Sequence, residues 1–454
     1  MDTETARRSR VSLVLRELVV APTPRATFAV TCYLAFVLVT NDLVTQLAGR
    51  AALAYGVQKD IALLVVIWQA IRARVWRRWS AAVAIGTALI LAGCVIGLDR
   101  ATTLTAAAYG VRNSYTGLIL LVALPCMLPP RYAERLLNVL AALIVAAATL
   151  AVVTWSFGVR WLALVVDHAA MPPYFVTGGT WPRAFSPFVS PLDLGAVGAV
   201  GIALALIRWR PVLGRSPWAP LVLLAAAVGA SLSRSAMIGA VSVATVMLVH
   251  PWLRRAGAHV SVVPRPALVA VIVSMFTFFV LRASTVPMLG WTDAGNTSPA
   301  PSTWEIKPIQ SDPSWQSHGT SISAGVDHLT NAPRGLGVGN VGQRAVRFAH
   351  DRYHVESSIL LVGLEAGLVG LVGLALVGFG LLAPATRRLL QRRASAADML
   401  LVAVLLAMGP TFTFLPLIQD TAAMWTCWLV VAAAAAWQRT FATEASAPGA
   451  TAAC

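Results

Sequence analysis

Seven polar residues stand out against an otherwise apolar chain: Arg183, Asp193, Arg234, Arg334, His350, His354 and Glu356 flank or interrupt long hydrophobic runs. Arg234 is the sharpest case, because "SLSRSAMIGA" (231–240) lies inside a long apolar stretch. A charge near a bilayer core costs about 2.5–3.5 kcal/mol on insertion scales, so it needs a reason. Arginine stays charged at every relevant pH and offers a planar fork that matches phosphate oxygens. Arg183 and Arg234 together are therefore a candidate grip on a diphosphate. Either one alone reads equally as an interfacial anchor or a partner of Asp193. Arg334 precedes the glycine-rich "GLGVGNVG" (335–342). With no strand before it and no Lys-Ser/Thr after it, this is not a nucleotide loop; it is a phosphate cradle or, more simply, a turn that re-enters the membrane. Glu356 is a base, a salt-bridge partner or a carboxylate favoured by a helix N-terminus. His354 and His350 are alternative bases, since imidazole ordinarily titrates near pH 6.5. Glu365 lies nine residues deeper, on the opposite face of the same predicted helix and about 13.5 Å lower, and reads as a polar packing contact.

These residues need elements to hold them, and the composition says which kind. The chain of 454 residues is 57% hydrophobic and only 12% charged, and its mean hydropathy of +0.72 excludes an ordinary soluble domain. The formal charge of +16 comes almost wholly from arginine, with Lys59 and Lys307 as the lysines. The arginines cluster between apolar runs, which points to membrane topology rather than nucleic acid. Hydrophobic windows predict an all-α integral membrane protein of twelve spans, near 26–41, 57–74, 80–98, 110–128, 136–157, 189–208, 216–231, 233–250, 266–283, 357–383, 397–416 and 421–438. No cleavable leader is evident in residues 1–25, so the first span is expected to act as its own insertion signal. The cysteines show neither zinc spacing nor a disulfide pattern.

Charge sets the orientation. "ARRSR", "RARVWRR", "RYAER", "RWRPVLGR", Arg254 with Arg255 and Arg265, and "TRRLLQRR" fall after alternate spans, so all are predicted to face the cytoplasm with both termini. The expected organisation is a cytoplasmic segment 1–25, nine spans over 26–283, an extracytoplasmic loop 284–356, three spans over 357–438 and a disordered cytoplasmic tail 439–454. Five of the seven histidines fall on the outer side, as does Arg234, against the positive-inside trend. A loop of this length is usually functional. Within it "GTSISAGVDHLT" is expected to form a short helix, and Trp291, Trp304 and Trp315 either stack on sugars or mark the interface.

"SLSRSAMIGA", "RAFSPFVSPLDLGAVGAVGIAL" (183–204) and "GLGVGNVG" followed by "HVESSILLVGLEAGLVG" (354–370) resemble, in order and spacing, the motifs of the O-antigen ligase and polysaccharide polymerase superfamily. The resemblance covers most of residues 180–383. It implies a GT-C-like glycosyltransferase of the bacterial inner membrane that needs no metal, nucleotide or other cofactor. Its implied partners are an undecaprenyl-diphosphate-linked oligosaccharide, a glycan or lipid acceptor, membrane lipids and other polysaccharide export proteins. Arg183 and Arg234 match the family's arginine positions, with Arg334 a third candidate; Asp193 and His350 would support them. Many ligases carry a His-Asn pair where this chain has Glu356-Ser357. The departure leans towards the polymerase branch and leaves Glu356 and His354 as rival bases. Ligation and, more distantly, transport or flipping of a polysaccharide or lipid are the alternatives.

Overall fold

The computed structural model describes residues 23–48, 51–156, 183–188, 190–208, 218–253, 269, 271–275, 313–342, 345, 355–391, 393–419 and 421–445. These residues form helices and the turns that join them. In chain order the helices are α1 (Pro24–Ala48), α2 (Ala51–Arg72), α3 (Ala81–Asp99), α4 (Leu104–Gly110), α5 (Thr116–Met127), α6 (Pro130–Ser156), α7 (Pro191–Arg208), α8 (Trp218–Ala230), α9 (Arg234–Leu253), α10 (Pro313–Asn331), α11 (Ser358–Leu390), α12 (Ala396–Phe414) and α13 (Thr421–Ala445). A π-helical turn, Val111–Tyr115, joins α4 to α5. Among the described residues, six helices are long and apolar enough to cross a membrane: α1, α2, α3, α6, α11 and α12. α7, α8 and α9 are shorter apolar helices. The chain is thus an all-α, multi-pass membrane protein. Most of the ninth expected span, 266–283, lies outside the described residues.

Two features organise the bundle. The first is α13, whose residues from Ala422 to Ala436 are all buried. A helix apolar on every side belongs inside, and α13 packs against α1, α5, α6, α7 and α12. The second is the close pairing of α3 with α11. A Cβ on Gly86 would stand 2.6 Å from the Gly373 carbonyl, and one on Gly93 2.5 Å from that of Ala366. Small residues at such points let two backbones meet where lipid offers no hydrophobic drive between helices.

The ends of the bundle differ. At one end Arg388 grips Asp398 through two nitrogens at 2.6–3.0 Å, and Gln438 donates to the same carboxylate at 2.6 Å. Ser395 and Asp398 close a capping box on α12. Next to Gln438, Arg439 donates to the Arg78 carbonyl at 3.3 Å. The basic connections after α2 and α11 thus gather here. The opposite end receives the last turn of α3 and the first turns of α7, α9, α11 and α13.

Candidate functional site

The turn between α8 and α9 is built from serine. Ser231 Oγ donates to the Val228 carbonyl at 2.7 Å and accepts from the Ser233 amide at 3.3 Å. Leu232 takes a left-handed conformation, φ 51°, which is uncommon for a residue with a branched side chain. α9 then begins at Arg234. The segment 183–188 lies across this turn: the Ala184 amide donates to the Ala230 carbonyl at 2.9 Å, and Arg183 Nε donates to the Ser231 carbonyl at 2.8 Å. That second bond fixes the plane of the guanidinium. Burial, and after it the neighbouring Arg234 charge, push Arg183 down to about 10. Arg183 therefore stays cationic at neutral pH, and the two guanidiniums are held within electrostatic reach of each other. Arg234 is exposed and Arg183 half-buried.

The other predicted residues take distinct places. Asp193 is buried in the first turn of α7, within electrostatic reach of Cys427 on α13. Two residues on, Gly195 packs onto the serine turn; a Cβ there would lie 2.8 Å from that of Ser233. Arg334 stands exposed on the turn after α10. His350 and His354 lie outside the described residues, as do Trp291 and Trp304. Glu356 precedes α11, which Ser357 caps by accepting the Leu360 amide. The Glu356 amide donates to Ser321 Oγ at 2.9 Å, and its Oε2 sits 2.5 Å from His318 Nδ1. Both partners come from α10, which begins well before the short helix expected from the sequence and ends at about the same place. His318 was not singled out as a site residue by the sequence reading. A signal was there: His318, Ser321, Ile322, Gly325 and Leu329 recur at helical spacing, placing an imidazole on the face that packs against α11.

Most amides of the glycine loop are bonded within the fold, as suits the simpler reading of it as a turn: Gly335 donates to the Ala332 carbonyl at 2.8 Å, Leu336 to Leu364 at 2.6 Å, Val338 to Gly97 at 3.0 Å and Asn340 to Gly337 at 3.3 Å. Gly339 donates to Glu365 Oε1 at 3.2 Å. The loop descends beside α11 to where Gly367 breaks that helix with φ 71°. The break frees the Leu364 carbonyl and the Leu368 amide, which pair with Leu336 and Pro333. Arg100 adds a bond to the Gly335 carbonyl at 2.8 Å, and the Asn340 amide spans the Arg100 and Leu336 carbonyls. Glu365 is fully buried, within interaction reach of Ser114 and Tyr115 of the π-helical turn. It is thus the polar packing contact expected from its depth, and it joins the loop to α11 beside the π turn.

A chain of contacts places these groups at one end of the bundle. Asp193 neighbours Cys427 near the start of α13, and Gly195 touches the Arg234 turn. Ser358 Oγ donates to the Leu415 carbonyl at 2.7 Å and accepts from the Ile418 amide at 3.0 Å. Gln419 reaches the Val341 carbonyl at 2.9 Å. The arginine pair and the Glu356–His318 pair thus sit on helix ends that belong to one rim. No protein-family model matches the chain, and no curated protein matches it.

Proposed function

We propose that this protein is a glycosyltransferase of the bacterial inner membrane that joins polysaccharide repeat units at the outer face, drawing them from a polyprenyl-diphosphate carrier. The observation that carries the reading is the arginine pair: Arg183 pinned by the Ser231 carbonyl beside Arg234. Two guanidiniums set beside each other suit a dianionic ligand, and the rim of a membrane protein suits one whose tail stays in lipid. The resemblance of residues 180–383 to the O-antigen ligase and polymerase superfamily supports the same reading, with twelve spans, a GT-C-like arrangement and cytoplasmic termini as its expected frame.

The chemistry asks little beyond this. The sugar–phosphate bond of the donor is already activated, so no nucleotide is consumed. An acceptor hydroxyl attacks the anomeric carbon, its proton passes to a base, and the carbon–oxygen bond to the diphosphate breaks. Cations fixed where that charge develops stabilise the transition state without reorganising. Glycan analysis of cells lacking the gene tests the proposal. Single repeat units left on the carrier support a polymerase, accumulated carrier-linked polymer supports the ligase alternative, and an unchanged glycan profile overturns both.

One observation favours a second reading, transport of a polysaccharide or lipid. A broken helix with a buried carboxyl beside the break, as in α11 with Gly367 and Glu365, is a feature of transporters. Glu365→Gln separates the two. A glutamine oxygen still accepts the Gly339 amide, so transfer should persist near the wild-type level, whereas a transporter that uses the charge of Glu365 should fail.

A further inference from the structure

Glu356 is held between two side chains of α10, His318 and Ser321. Ser321 follows His318 by three residues, so both lie on one helix face. Ser321 Oγ accepts the Glu356 amide at 2.9 Å, which fixes the backbone from which the carboxylate extends. The carboxylate reaches His318 Nδ1 at 2.5 Å, with side-chain exposures of 27% for the histidine and 20% for the glutamate. Half-burial of this kind leaves an open edge. Among the described residues no hydrogen bond occupies His318 Nε2.

From this geometry we infer that His318 is the general base of the transfer, with Glu356 as its positioning residue. The inference rests on the transferase reading above. The acceptor is the hydroxyl of a sugar. As its oxygen bonds to the anomeric carbon, its proton moves to Nε2 of His318, and the electron pair of the breaking bond leaves on the carrier diphosphate beside the arginines. The imidazolium then returns its proton to solvent. The Glu356 carboxylate, 2.5 Å from Nδ1, offsets the charge of the imidazolium, and uptake of the proton falls to Nε2. Imidazole is the side chain most often used to take a proton from a positioned hydroxyl.

The test uses the full-length protein returned to a deletion strain, with surface polymer as the readout and protein amount checked for each variant. His318→Ala should lower polymer formation by about 10²–10⁴-fold, the usual contribution of a positioned base. Glu356→Gln should also lower it, and the double variant should be no worse than His318→Ala, because the two act as a unit. Free imidazole added to the medium should restore part of the activity of His318→Ala and none of that of Arg234→Ala. Wild-type polymer in His318→Ala, with loss in Arg234→Ala, overturns the assignment and leaves the transferase standing. Loss in His318→Ala that imidazole does not restore also overturns it, giving His318 a packing role. Wild-type polymer in all the variants overturns the transferase reading itself.

Discussion

Arg234 and Arg183 were legible as sequence because an arginine in an apolar setting carries a cost that something must offset. What the sequence could not supply was the geometry that joins them. The bond from Arg183 Nε to the Ser231 carbonyl spans 48 positions of chain and depends on the fold of the serine turn. His318 was hidden for a related reason: a histidine in a polar loop is ordinary until a carboxylate from another element is found 2.5 Å away. The arginine pair yields a direct prediction. Lysine keeps the charge of Arg234 but loses the planar fork, so it meets two phosphate oxygens less well. Arg234→Lys should lower polymer formation by on the order of 10²-fold, the scale of removing one fixed donor to a developing charge. Wild-type polymer length and amount in that variant would remove the diphosphate grip.

Hydropathy located the long helices, because a span needs a continuous apolar run and little else. It missed the departures from regular helix. "GLEAGLVGLVG" reads as part of one continuous span despite Glu365, yet α11 breaks at Gly367, where the left-handed conformation is stabilised by bonds to residues 333 and 336. The π turn at Val111–Tyr115 was equally silent, although such turns gather at functional sites. At Gly367 a Cβ would stand 2.7 Å from the Pro333 carbonyl and 2.8 Å from the Arg334 carbonyl carbon. Gly367→Ala should therefore cost about 1–3 kcal/mol from backbone strain alone. Gly378, in the same helix, has nothing within 4 Å of a built Cβ, so Gly378→Ala serves as the control. Thermal unfolding in detergent should show a lower midpoint for the first variant and not for the second; equal midpoints would mean that the break is not fixed by the loop.

At the scale of the whole molecule the distribution of arginine is the argument. Arg78, Arg388 and Arg439 converge on one end, tied to one another's helices through Asp398, Gln438 and backbone carbonyls. Away from that end the arginines are mostly committed: Arg112 pairs with Asp60 at 2.8 Å and Arg100 holds the glycine loop. Arg183, bonded to the Ser231 carbonyl, and Arg234 are two guanidiniums set within electrostatic reach of each other. By the positive-inside rule the basic end is expected in the cytoplasm, with the arginine pair, α10 and the glycine loop outside, the side on which the proposed donor would be presented. Two exposed positions test this. Arg334 follows α10 at the site end, and Arg393 follows α11 at the basic end. With Cys454→Ser as the background, Arg334→Cys should react with a membrane-impermeant maleimide in intact spheroplasts, and Arg393→Cys only after permeabilisation. The reverse pattern would turn the arginine pair towards the cytoplasm, and a transferase acting at the outer face would then have neither its clamp nor its base on the side where its donor is presented.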